Sequence, residues 1–392
     1  MSFIITLLAA VFVFSAVIAI HEFGHFAVAK LCGVQVNEFS IGMGPVLLKK
    51  TQNGTQYSLR ALPVGGFVAL EGEESPESQQ AEKGERPDAE PQTPPPCADA
   101  DGSPDGGAGN EKAPAQPVGK PLNEAAVWQR ALIMAAGAFM NFLLGFVVMV
   151  ILIAAQSEPI TSRVIYAIDD GALCGQTGLE AGDKVLAVNG RRCFVANDML
   201  YELMRTEDYS ARFTVLRGGE KVRLPNAQVE RRDFGGEQLY GFTIDVQEKT
   251  LGGTLGFSWN SCVDFVRIVR LGLGDLFTGR AGLKDMSGPV GIVEQVTETA
   301  NQQESAWEGL AVVLYYFSFI AINLGVMNLL PIPPLDGGRF VIEVFQKLSN
   351  KVVSMRAMNA MSSAGMALFL MFFLVMVNQD VQRIISGTFF GQ

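Results

Sequence analysis

The stretch FIITLLAAVFVFSAVIAIHEFGHFAVAKL at residues 3–31 decides the fold. Residues 3–20 are almost wholly apolar, and after HEFGH the apolar run resumes at 26–31 with no proline to interrupt it. A helix of this length crosses a hydrocarbon core of ~30 Å. A cleaved signal peptide would open on a basic segment and carry an apolar core of only ~7–15 residues, and this stretch has neither property. Three further apolar runs lie at 132–155, 310–330 and about 361–377. Apolar residues make up 48% of the chain and charged residues only 18%, below the soluble norm of about 25%. The expected fold is a polytopic α-helical membrane protein with four transmembrane helices.

The formal charge of −10 is concentrated in one place. Between Glu71 and Glu111 twelve acidic residues face only Lys83 and Arg86, so the rest of the chain is close to neutral. That segment, 72–120, is rich in proline and glycine and too polar to offset its chain entropy by burial, which predicts a disordered acidic linker. No basic patch with interleaved aromatics is present, so nucleic acid is not an expected partner. Five cysteines, at 32, 97, 174, 193 and 262, show no zinc-ribbon spacing. Cys174 and Cys193 fall in one segment, either as a disulfide or as two free thiols.

Only two histidines occur in the chain, and both sit inside His21-Glu22-Phe23-Gly24-His25. This is H-E-x-x-H. Residues four apart share a helix face, so both imidazoles address one Zn²⁺ while Glu22 serves as general base. Ionisable groups within a membrane span are costly, which favours a functional reading over helix–helix hydrogen bonding. Catalytic zinc takes three protein ligands, and with no third histidine the last must be a carboxylate or a thiolate. The first and third spans run in the same direction, and Asp336 follows the third at a depth similar to that of His21. Pro331, Pro333 and Pro334 forbid a regular helix there, and Gly337-Gly338 allows a turn. Asp336 is the expected third ligand, with a helix N-cap as its alternative role. Asn328 is placed to donate to a developing oxyanion, or to bond between helices. Asn141 reads as packing.

Together, HEFGH and NLGVMNLLPIPPLDGGRF at 323–340 resemble the site-2 protease family of intramembrane zinc metalloproteases. The likeness is greater to its bacterial, PDZ-containing, regulator-of-sigma-E-protease-like branch. GRAGLKDMSGPVGI at 279–292 is similar to the stretch before that branch's third span. The resemblance implies His21, His25 and Asp336 as zinc ligands, Glu22 as catalytic base, and Asn328 and Pro333 as substrate-positioning residues. It implies single-pass membrane proteins as substrates, such as anti-sigma factors or remnant signal peptides, trimmed beforehand by an upstream site-1 protease. It also implies a β-hairpin beside the site. Residues 45–66, with strand-like runs around Asn53-Gly54, fit that hairpin in position and turn chemistry, although a plain cytoplasmic hairpin fits as well. A catalytically inactive PDZ scaffold and a metal transporter are the rival readings. The intact HExxH opposes the first, and the lack of further ionisable groups along the spans opposes the second.

GLEAGDKVLAVNGRRC at 178–193 resembles a PDZ stretch, which predicts a single PDZ-like β-rich domain at 157–247. The expected organisation is a first span with HExxH and hairpin at 1–71 and the linker at 72–120. A second span follows at 121–156, then the PDZ-like domain. An amphipathic segment lies on membrane lipids at 248–307, with its helix over 257–277. The third and fourth spans, with LDGG, occupy 308–392. Lys30, Lys49, Lys50, Arg60 and Arg130 mark one loop as cytoplasmic, and Arg339, Lys347, Lys351 and Arg356 mark another. These charges put the active site towards the cytoplasm and the PDZ-like domain outside, and the resemblance implies a multi-pass protein of a bacterial inner membrane.

Overall fold

The computed structural model describes residues 3–72, 119–206, 210–229, 232–234, 237–280, 282, 288–349 and 353–386. Nearly all of the acidic linker, Cys97 and part of the 279–292 motif lie outside the described residues.

Helix α1 (Phe3–Leu31) leads into two long strands, β1 (Val36–Gln52) and β2 (Thr55–Leu70). A 3-10 turn at Leu122–Glu124 precedes α2 (Val127–Ala155). A β-rich segment follows, with β3 (Ile160–Ile168), the short α3 (Leu173–Gln176), β4 (Lys184–Val188), β5 (Arg191–Arg192) and α4 (Ala196–Met204). It continues through β6 (Ser210–Arg217), β7 (Glu220–Gln228), β8 (Arg232–Phe234), β9 (Glu237–Leu239) and β10 (Phe242–Gln247). Then come α5 (Leu251–Thr278), α6 (Pro289–Asn301), α7 (Ala306–Asn328), α8 (Asp336–Ser349) and α9 (Met355–Ser386). Among the described residues four helices are long and apolar enough to cross a membrane: Val11–Leu31, Val127–Ala155, Ala306–Asn328 and Arg356–Arg383. They coincide with the four expected runs. The last is longer than its apolar core suggested, because polar residues on either side of it, Asn359 and Gln379 among them, continue the helix that the more apolar residues anchor.

The chain divides into two compact units, the first being Phe14–Gly137 with Phe340–Val352. Its core joins Ala29, Val34, Val36, Leu70, Leu122 and Ile133, with Phe340 packed against it. The hairpin turn is at Asn53-Gly54, where both residues have positive φ (50° and 71°), the geometry a two-residue turn of twisted strands requires. The ribbon is longer than the expected 45–66 and folds back on itself. Ser40 lies opposite Phe67 on one side and Ser58 on the other. Residues 36–41 thus sit between two runs of β2, and 66–70 form one margin of the sheet. Arg60 fixes this arrangement from within: it pairs with Glu38 at 2.9 Å and donates to Ser40 Oγ at 2.9 Å.

The second unit holds the remaining segments. Its sheet runs β10-β3-β4-β6-β7, with β5 beside β4. Ile165, Leu179, Val185, Met199, Phe213 and Val215 fill its core. Cys174 and Cys193 are both buried there as free thiols, which answers the question their spacing left open. Helices α2 and α7 meet through small residues, as membrane helices do when close backbone approach replaces a hydrophobic driving force. Ser318 Oγ donates to the Gly145 carbonyl at 2.7 Å, and a Cβ on Gly325 would lie 2.9 Å from the Ala138 carbonyl. The apolar side of α5 is covered by these helices: Cys262 and Phe265 are buried with Met149, Leu152 and Ile322.

The polar side of α5 holds the β-rich segment. Arg267 reaches Asp198 at 2.7 Å and Glu202 at 3.0 Å on α4. Asn197 donates to Asp264 at 2.8 Å, and Arg205 forms a two-pronged pair with Asp275. Asp198 is fully committed, accepting also from the Phe194 and Val195 amides. Burial first, and the neighbouring Asp198 second, push the Asp264 carboxyl up to about 8.

Candidate metal centre

His21 and His25 lie on one face of α1 and are buried, 7% and 9% exposed. Their rings meet edge to face, with centroids 4.8 Å apart. His25 Nδ1 donates to the Ile133 carbonyl on α2 at 2.8 Å. That bond fixes the tautomer and leaves Nε2 as a lone-pair donor, the usual outer-shell arrangement of a metal-binding imidazole. The two Nε2 atoms are 3.2 Å apart. Two tetrahedral ligands at the normal Zn–N distance of 2.0–2.1 Å stand about 3.3 Å from each other. The imidazole pair therefore has the spacing of a chelate.

Sequence reasoning missed the wall of this pocket. A Cβ on Gly137 would stand 2.4 Å from His25 Nε2 and 2.7 Å from His21 Nε2. No side chain fits there, so the glycine leaves open the space before the two nitrogens. The run Ala135-Ala136-Gly137-Ala138 was the available signal, since small residues in a span mark a close approach.

Glu22 follows His21 and is half-buried. A Cβ on Gly66 would lie 3.5 Å from Glu22 Cγ and 2.8 Å from the Ser40 carbonyl. The margin of the ribbon at 66–70 thus passes directly beside the expected base, which the turn chemistry alone did not reveal.

Asp336 opens α8, where the helix N-terminus favours a negative side chain. It is reached through successive tight turns: Leu330 N to Met327 O, Ile332 N to Leu330 O, and Leu335 N to Ile332 O. Gly337 is required at this point, because a Cβ would lie 2.3 Å from the Leu329 carbonyl. Asp336 belongs to the other unit of the chain from His21 and His25. Two neutral imidazoles and one carboxylate form a donor set suited to zinc. Asn328 is the last residue of α7, and Pro333 lies in the turns that follow it. A Cβ on Gly365 of α9 would collide with the Pro333 carbonyl, so α9 backs this turn closely. Asn141 is fully buried, with its Cβ 3.4 Å from the position a Cβ on Gly325 would take.

Residues 9–372 match the family described as Peptidase family M50. The chain is 30% identical over 373 residues to a provisionally named zinc metalloprotease of Clostridium perfringens, covering 95% of this chain and 97% of that protein. It is 30% identical over 425 residues to the zinc metalloprotease RasP of Shouchella clausii, covering 97% of this chain and all of that protein (100%). It is 26% identical over 430 residues to the regulator of sigma-W protease RasP of Bacillus subtilis, covering 97% and 99%.

Proposed function

The chain belongs to peptidase family M50, the site-2 proteases, and is a zinc metalloprotease; from that premise we propose that it hydrolyses peptide bonds within the membrane segments of single-pass proteins. The observation that carries this reading is the imidazole pair on α1, with its two Nε2 atoms 3.2 Å apart and turned towards the gap that Gly137 leaves. His21, His25 and Asp336 hold the zinc in this reading. The bound ion supplies Lewis-acid polarisation of the scissile carbonyl and makes water a competent nucleophile near neutral pH.

The chain's own groups do the remaining work. Glu22 takes a proton from the attacking water and later delivers it to the departing amine. The Asn328 amide donates to the oxygen on which charge develops. Pro333 and its neighbours keep the backbone before Asp336 out of a helix, and irregular backbone at membrane depth is tolerated where it lines a site. Peptide bonds in a helical substrate are shielded by their own hydrogen bonds. The ribbon margin at 66–70, beside Glu22, offers backbone partners to an unwound strand and presents it extended.

Substrates in this reading are membrane proteins already trimmed by an upstream site-1 protease, of the anti-sigma-factor or remnant-signal-peptide kind, cut in regulated intramembrane proteolysis. The relative named as a regulator of sigma-W protease supports that class. The β-rich segment 157–247 is assigned as one PDZ-like domain, supported by its turns: Gly182, Asn189 and Gly190 all have positive φ where the motif places them. The basic residues flanking the spans support a reading in which the HExxH end faces the cytoplasm and the β-rich segment lies outside.

The test compares wild type and Glu22→Gln in detergent for zinc content and for cleavage of a model transmembrane peptide. The variant is expected to retain zinc at one equivalent and to lose cleavage by 10²-fold or more. Equal cleavage by both proteins, or wild type without stoichiometric zinc, overturns the assignment in favour of a PDZ scaffold.

A further inference from the structure

The β-rich segment carries a cleft of about 760 Å³. It lies on the outer face of the four strands β5, β4, β6 and β7. Their registers set Arg192 opposite Ala187, Ala187 opposite Thr214, and Thr214 opposite Arg223. Two small side chains thus separate two guanidinium groups, and the row forms a trough. Arg212 shares the face with Thr214 two residues on, Lys221 shares it with Arg223, and Arg163 of β3 joins the lining. The lining holds five cations and no carboxylate.

Four arginines elsewhere in the same unit are placed differently. There Arg191 holds Glu202, Arg205 holds Asp275, Arg217 holds Glu180 and Asp183, and Arg267 holds Asp198. Among the described residues the side chains of Arg192, Arg212, Lys221 and Arg223 have no ion pair or hydrogen bond. Like charges on neighbouring strands destabilise a sheet. Cations on β7, a sheet edge, also serve to repel other edges, but Arg212 is on an interior strand and Arg192 is beyond the opposite side of β4. An anionic occupant accounts for all of them.

The dimensions favour an extended chain. Three strand spacings of ~4.8 Å make the row roughly 14 Å long, the reach of about four extended residues at ~3.3 Å each. Guanidinium forks take carboxylates two-pronged. A flat bilayer surface does not reach the floor of a trough, and one phosphate occupies only part of it. We infer that this trough binds an extended, carboxylate-rich polypeptide segment. Resting on the protease reading, the segment is the acidic stretch beside a substrate's membrane span.

The test uses the full chain in uncharged detergent and a fluorescent twelve-residue peptide with alternating glutamates. Its controls are the same peptide with glutamines and vesicles of phosphatidylglycerol. Fluorescence anisotropy is expected to show at least tenfold tighter binding of the glutamate peptide. The double variant Arg212→Gln/Arg223→Gln removes that preference, and Arg212→Lys/Arg223→Lys retains most of it. Both substitutions lie on an exposed face, and circular dichroism checks that the fold persists. Equal binding of the two peptides, or a preference that survives the glutamine variant, overturns the proposal. So does binding of the vesicles with none of the glutamate peptide. Cleavage of a model membrane peptide without an acidic flank is followed in parallel with wild type. Its failure sinks the protease reading and leaves the binding result to stand or fall separately.

Discussion

Gly137 shows how one missing carbon shapes the proposed metal centre. A methyl group there would press on both Nε2 atoms, at 2.4 and 2.7 Å, in the space a shared ion needs. Gly137→Ala is expected to weaken zinc retention at least about tenfold, the range seen when groups supporting metal ligands are altered. Zinc content after dialysis against a weak chelator reads this directly, and a variant that keeps its metal would show that the rings swing aside. Asp264 is the second residue with a measurable signature. Its carboxyl, raised to about 8 by burial and by Asp198, keeps a proton in the folded state that the unfolded chain, at an ordinary ~3.9, releases. The folded state therefore binds more protons between about pH 4 and 8. The stability it contributes is full below that window and is lost as pH rises through it. Asn197, which donates to this carboxyl, and the Arg267 charge both act to lower it and do not reverse this sign. Unfolding followed from pH 5 to 9 should show this decline in wild type, and Asp264→Asn should flatten it. An unchanged slope would mean that the carboxyl is already ionised.

Among the elements, α6 and α9 are joined by a carboxylate serving as a cap. Asp380 of α9 is fully buried and accepts from the amides of Gly288, Val290 and Gly291, at 3.0, 3.0 and 3.1 Å. Those amides open α6, where an anion is stabilised by the helix terminus. Asp380→Ala leaves buried amides without their acceptor and is expected to cost about 2–3 kcal/mol, the scale of hydrogen bonds to a charged group. A lower unfolding midpoint in detergent measures it. No local pattern announces such a bond, because its partners are some ninety positions apart. What was legible in the sequence was local: the apolar runs of the four spans, the Asn53-Gly54 turn, and the pairing of His21 with His25 at helical spacing. The doubling of the ribbon was not, since nothing in 36–41 shows that it meets both 66–70 and the strand after Asn53-Gly54. Likewise, within the run 257–277 Arg267 is by sequence only one charge on an amphipathic helix. Its two carboxylate partners, on α4, belong to the tertiary fold.

At the scale of the molecule, the donors assigned to the metal come from near opposite ends of the chain: two from α1 and one from the start of α8. The ribbon, by contrast, is made from residues 36–70 alone, so its contacts are of short range and form early. A growing polypeptide accordingly acquires its ribbon and imidazole pair long before Asp336 is synthesised. Until then it holds two of three donors, too few for a catalytic ion. On the proposed assignment the nascent enzyme is silent throughout its own insertion. On the same assignment, surrounding membrane proteins are exposed to hydrolysis only once the helix that Asp336 opens is in place, a delay set by the order of residues along the chain rather than by an inhibitor.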